Sequence, residues 1–240
     1  MTKEQYTELA SKNKYRESLN YISSDEPALM DFLKYDILDL DLKLHLTRVI
    51  ICRHFPSTGG VYFPFDVIWF IEGFLKEYQS DLIKPWLSPA IKGSLEMIVS
   101  DDTFNKGILG TTFMFGVLEF YAKYRLGYRP EKHDFFDNQY HKPFRNMFLG
   151  HAINRMKKGR TKLGQDLNFI DRFKVDALKK TGIREKGYIK ARIADRLSLA
   201  RNSMIHGETH NFYDTGLYLA VLFILFHFHG VNDGFRYEGI

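Results

Sequence analysis

The stretch that invites a chemical reading is Leu199–Gly207, LARNSMIHG. Arg201 and His206 are the pair to weigh, with Asn202 beside the arginine. Gly207 suits the left-handed residue that ends a helix, and a histidine in the last turn suits the negative end of the helix dipole. Arg201 has no such explanation. If each residue advances about 100° and Leu197 is set at zero, Ile193, Ala200 and Met204 fall within about 60° of it and define an apolar face. Arg201 then lies at about +40°, inside the edge of that face. A permanently charged guanidinium there is costly unless it is paired or lines a cleft. Asn202 and His206 fall at about 140° and 180°, on the other side of the helix. Distortion near Gly207, or a neighbouring chain, is what would bring Arg201 and His206 around one phosphate.

Other residues compete for attention. Arg145–His151, RNMFLGH, repeats the arginine-to-histidine spacing loosely, with Asn146 after the arginine. Its glycine precedes the histidine within a helical pattern, and no apolar closing helix follows directly, so it reads as a decoy. Glu119 sits in an apolar string, Phe113–Tyr124, where it could meet Arg201 but is better explained as an i,i+4 partner of Lys123. His210 lies in the turn after Gly207 and reads as solvent-exposed. His227 and His229 are two apart, so they point to different faces and do not suggest a metal pair. The single cysteine, Cys52, excludes an intrachain disulfide and a cysteine-based zinc site, and it has no histidine placed to make it a nucleophile. Phosphate-loop, dinucleotide-binding, H-E-x-x-H and G-x-S-x-G patterns do not occur, so neither a cofactor nor a metal is expected.

With 45% hydrophobic and 26% charged residues, the 240-residue chain is neither collagen-like, nor a coiled coil, nor wholly disordered. It is rich in large aromatic rings, 21 Phe, 14 Tyr and 2 Trp against 7 Pro, which implies a core built from bulky side chains. Its net charge of +5 is unevenly spread: His151–His206 holds 15 Lys/Arg against 5 Asp/Glu. A concentrated cationic stretch beside an acidic remainder points to an anionic partner, nucleic acid first, with solvated helix faces as the plain alternative. The first nineteen residues are polar and mixed in charge, unlike a signal peptide, and the lone cysteine suits a cytoplasmic setting. The longest apolar run, Leu217–Phe226, has ten residues. A spanning helix needs about 20, so the run predicts a buried core helix, not a membrane segment.

Helical periodicity runs nearly throughout. It predicts helices over Lys3–Leu19, Ala28–Leu33, Asp36–Phe55, Phe65–Asp81, Trp86–Val99 after Pro85, Thr103–Leu126, Pro143–Lys158, Asp166–Lys180, Arg184–Ile205 and Asn211–Phe228. Asp36–Phe55 also alternates like a strand, but its Leu, Asp and Lys are poor strand residues. Pro56–Gly60 and Glu131–Gln139 read as loops, Ser100-Asp101-Asp102 as a helix cap, and Gly127–Pro130 as a helix terminator. The fold class is therefore all-α, with an N-terminal helical region over 1–100 and a helical bundle over 101–240.

RNSMIHG, set in a late helix before a tight turn and a strongly apolar last helix, resembles the R-N-x-x-x-H signature of the HEPN superfamily. Arg184–Phe228 carries the resemblance, Thr103–Gly230 is its wider setting, and residues 1–100 lie outside it. The resemblance implies a compact four- to five-helix bundle, often a homodimer with the motif helices apposed across the two-fold. It implies a metal-independent endoribonuclease of a defence or toxin–antitoxin type system, with an antitoxin or other partner protein. In that chemistry a neutral His206 imidazole takes the 2′-hydroxyl proton or donates one to the leaving oxygen. Arg201 grips the non-bridging phosphate oxygens, and Asn202 orients His206 or the phosphate. The alternative is a catalytically silent helical module that binds nucleic acid or a partner protein; a membrane-surface role for Phe212–Phe228 is a third.

Overall fold

The computed structural model describes residues 40–54, 65–78, 87–100, 105–128, 138–179, 192–206 and 212–232. About 90% of these are helical and none lies in a strand, so the fold is all-α. The helices are α1 (Leu40–His54), α2 (Phe65–Glu77), α3 (Leu87–Val99), α4 (Asn105–Arg125), α5 (Asn138–Arg145), α6 (Leu149–Lys158), α7 (Lys162–Lys179), α8 (Ile193–Ile205) and α9 (Phe212–Asn232). The predictions over Lys3–Leu19, Ala28–Leu33 and Pro56–Gly60, and those for Gly207 and His210, lie outside the described residues.

The apolar run Leu217–Phe226 becomes the centre of α9, and every residue of that run is buried. A helix apolar on all sides must be surrounded, and α9 packs on α4 and α1 most extensively, then on α2 and α3. Helices from both sides of residue 100 thus share one continuous core, running from Leu44, Ile50 and Ile71 through Leu95 and Tyr121 to Phe223. At one end of α9 an aromatic cluster of Phe74, Tyr78, Phe223 and Phe228 encloses the His227 ring, with centroids 5.3 to 6.1 Å apart. Asp36–Phe55 resolves as helix over its described part, the strand-like alternation notwithstanding: Leu44 to Cys52 are buried on successive sides, as a helix wedged between α9 and α7 requires.

Several boundaries differ from prediction for identifiable reasons. The single helix predicted over Pro143–Lys158 is two: α5 ends at Arg145, and α6 starts at Leu149 after Phe148 takes an extended backbone (φ −83°, ψ 164°). The helix predicted from Asp166 begins a turn earlier, because the Thr161 hydroxyl accepts the Gly164 N–H at 3.1 Å and caps α7. Of the cap predicted at Ser100-Asp101-Asp102, only Ser100 lies among the described residues, and its hydroxyl donates back to the Met97 carbonyl of α3 at 3.1 Å. Gly127 ends α4 as predicted. Its φ of 105° lies where other residues are strained, and the Tyr128 and Gly127 amides close on Lys123 and Tyr124 carbonyls at 3.0 Å.

Candidate functional site

Arg201 and Asn202 lie in the last two turns of α8, and His206 is its C-cap, the amide of which donates to the Asn202 carbonyl at 3.0 Å. Asn202 and His206 are exposed, and Arg201 is half-buried. The predicted position of Arg201 at the edge of the apolar face is what the structure shows, and the cost of placing a guanidinium there is met by an aromatic ring. Its guanidinium carbon stands 4.2 Å from the centroid of Phe148, a distance at which the ring's negative face attracts a cation. Phe148 is 43% exposed, and its ring also lies 5.9 Å from that of His151, on the exposed side of α6. The structure therefore joins Arg201 to Phe148, the ring of which also neighbours His151, and places His206 at the helix end.

The geometry of this corner is set from outside α6 and α8. Neither helix caps itself: Phe148 and Arg192, their N-cap residues, make no side-chain cap bond. Glu119 of α4 accepts the Leu149 N–H at 3.1 Å, while its other oxygen takes Lys123 at 2.7 Å. Glu119 is thus the predicted i,i+4 partner of Lys123, and it also caps α6. Asp171 of α7 accepts the Ile193 N–H of α8 at 2.9 Å and pairs with Lys157 of α6. A carboxylate at each helix N-terminus satisfies an orphan amide and complements the dipole. The α6–α8 contact is close, since a Cβ on Gly150 would lie 2.7 Å from Ser198 Oγ and 3.0 Å from the Ala194 carbonyl.

A second cluster, in the core, went unpredicted. Arg48 Nε donates to Asp166 Oδ2 at 2.7 Å, and His229 Nε2 meets the same oxygen at 2.5 Å. His229 is 1% exposed, and its Nδ1 has no hydrogen-bond partner among the described residues. Burial, reinforced by Arg48, pushes the nearby His45 imidazole down to about 3. Lys174 is fully enclosed, its ammonium 5.0 Å from the Tyr218 ring, and burial with Arg196 beside it lowers its pKa to about 7. Burial raises the Cys52 thiol to about 12, so it holds no thiolate at neutral pH. The sequence signal was present: Leu163, Asp166, Leu167, Ile170, Asp171 and Lys174 fall on one helical face, which puts three charges on a core stripe.

The basic stretch divides accordingly. Lys157, Lys174 and Arg196 turn inward to Asp171 and Tyr218, whereas Arg155, Lys158, Arg160 and Lys162 are exposed. Among the described residues no group of three or more His, Cys, Asp or Glu could hold a metal, and no helix is long and apolar enough to cross a membrane. Comparison with family models, curated proteins and solved structures finds no match.

Proposed function

We propose that the chain is a metal-independent endoribonuclease of HEPN type, acting as a homodimer in the cytoplasm within a defence or toxin–antitoxin system. The observation that carries this is Arg201: a half-buried guanidinium with no ion pair among the described residues, five residues before an exposed histidine at the same helix end. Arg201 holds the non-bridging oxygens of a phosphate and stabilises the charge that develops on them. His206 removes the 2′-hydroxyl proton as O2′ attacks phosphorus, and the P–O5′ bond breaks. The leaving O5′ takes a proton, giving a 2′,3′-cyclic phosphate and a 5′-hydroxyl. Asn202, exposed beside Arg201, orients the phosphate or His206.

The catalytically silent module is the second reading, favoured by the roughly 140° between Arg201 and His206 around an ideal helix. One experiment separates the two. End-labelled RNA is incubated with the wild type, with Arg201→Ala and with His206→Ala, in EDTA. The nuclease yields cyclic-phosphate ends that both substitutions abolish. RNA binding that depends on Arg201, with no cleavage by the wild type, identifies the silent module.

A further inference from the structure

Between Asp137 and Asp166 lie 28 residues with seven Lys/Arg and no acidic side chain. The structure places most of that charge outside. Lys142, Arg145, Arg155, Lys158, Arg160 and Lys162 are exposed, and among the described residues Lys157 alone of the seven is tied to a carboxylate. On α6, His151, Arg155 and Lys158 follow at i, i+4 and i+7, within about 60° of one another on the solvent face. The row starts beside Phe148, a large ring that keeps 43% exposure next to cations. Ala152 and Ile153, on the next turn, are fully buried, so the ring stands where the core face of α6 meets solvent.

A flat aromatic ring at the head of a cationic row matches the two needs of a single strand: a surface for a base to stack on, and positive charge for the phosphates. A protein partner of acidic character would use the charges but not the ring beside them. Duplex RNA would use the charges too, yet its bases are already stacked and cannot reach Phe148.

We propose that Phe148 is the platform on which a base of a single-stranded RNA stacks, with the phosphates following Lys158, Arg155 and His151 along α6 to Arg201 at the Phe148 end. This rests on the nuclease reading for the identity of the strand, though not for the binding itself. Arg201 then has two partners: it packs over the same ring and faces the phosphate next to the stacked base, so Phe148 selects which phosphate is presented.

The test uses the full-length chain carrying His206→Ala, so that RNA survives, and a fluorescent 12-nucleotide single strand with one 2-aminopurine. Binding is followed by anisotropy and stacking by quenching of 2-aminopurine. Phe148→Leu should weaken binding about tenfold and leave the 2-aminopurine unquenched at saturation, with Phe148→Trp restoring both. The salt dependence of Phe148→Leu should match that of the parent, whereas Arg155→Gln with Lys158→Gln should reduce the slope by about 1.4. Unchanged affinity and quenching in Phe148→Leu would overturn the proposal, as would duplex RNA bound as tightly as the single strand. The two readings fail separately. If the wild type cuts nothing while Phe148→Leu loses binding and quenching, the platform stands and the nuclease falls. If His206→Ala abolishes cleavage while Phe148→Leu binds normally, the nuclease stands and the platform falls.

Discussion

Arg201 shows how one side chain can be tolerated where burial alone would forbid it. A guanidinium is planar, weakly hydrated and able to lie flat on a ring while its N–H groups still point outward. The Phe148 face supplies the attraction, and the half-exposed position leaves the hydrogen-bonding edge for an anion. A lysine at this position keeps the charge but loses both the stacked geometry and the two-point grip on phosphate. Arg201→Lys is therefore expected to retain the fold and to lose RNA cleavage as completely as Arg201→Ala, measured with end-labelled RNA at matched concentrations. Cleavage within threefold of the wild type would mean that charge alone suffices. His151→Ala is expected to leave the cleavage rate at saturating RNA unchanged, since that histidine lies on α6, off the motif helix. A large loss there would transfer the proton-transfer role from His206 to His151.

At the scale of elements, the site depends on helices that are started by their neighbours. Glu119 and Asp171 stand in for caps that Phe148 and Arg192 cannot provide. Glu119→Ala removes the acceptor for the Leu149 amide, and a lost cap of this kind costs about 1 kcal/mol. Asp171→Ala also strands Lys157 with little solvent, so its cost should be larger, about 3 kcal/mol. Urea unfolding checks both, and equal costs for the two would show that the Lys157 pair contributes nothing. This borrowing explains why the α5–α6 break was not legible. Nothing between Pro143 and Lys158 marks a helix start, because the acceptor that starts α6 lies on α4, thirty residues away. Helix ends with local chemistry read better, as Gly127 did, and Thr161 was available as a cap in front of α7. The residues Arg201, Asn202 and His206 were legible as a string, and the placement of Arg201 followed from its angle on the helix. Phe148 was not legible as their neighbour, since it approaches Arg201 through the packing of α6 on α8.

For the molecule as a whole, the buried polar groups decide how stability responds to pH. His45 and His227 are held neutral in the core, at about 3 and about 4, chiefly by burial. In the unfolded chain each titrates near 6.5. Between these values the unfolded state binds protons that the folded state refuses, so stability is whole above about pH 7 and falls as the pH drops. Together the two histidines remove about 4 kcal/mol by pH 5. Lys174, lowered to about 7 by burial and Arg196, acts in the same sense at higher pH: the unfolded lysine stays protonated up to about 10.4, and folding gains as the pH rises through that window. Cys52 and Tyr78, both raised to about 12 by burial, oppose it, because the unfolded thiol and phenol lose protons that the folded groups keep. Stability should therefore rise steeply from acid to about pH 8.5 and then stay nearly level to about pH 10, where Lys174 and Cys52 offset one another and the unfolded Tyr78 phenol has yet to lose its proton. Chemical unfolding from pH 5 to 10 measures this curve, and His227→Leu, which fills the aromatic pocket without a titrating group, should remove about half of the acid loss. A flat profile between pH 7.5 and 5, or an unaltered loss in His227→Leu, would mean that the histidines are hydrated in the folded protein and that the core around α9 is looser than its packing implies.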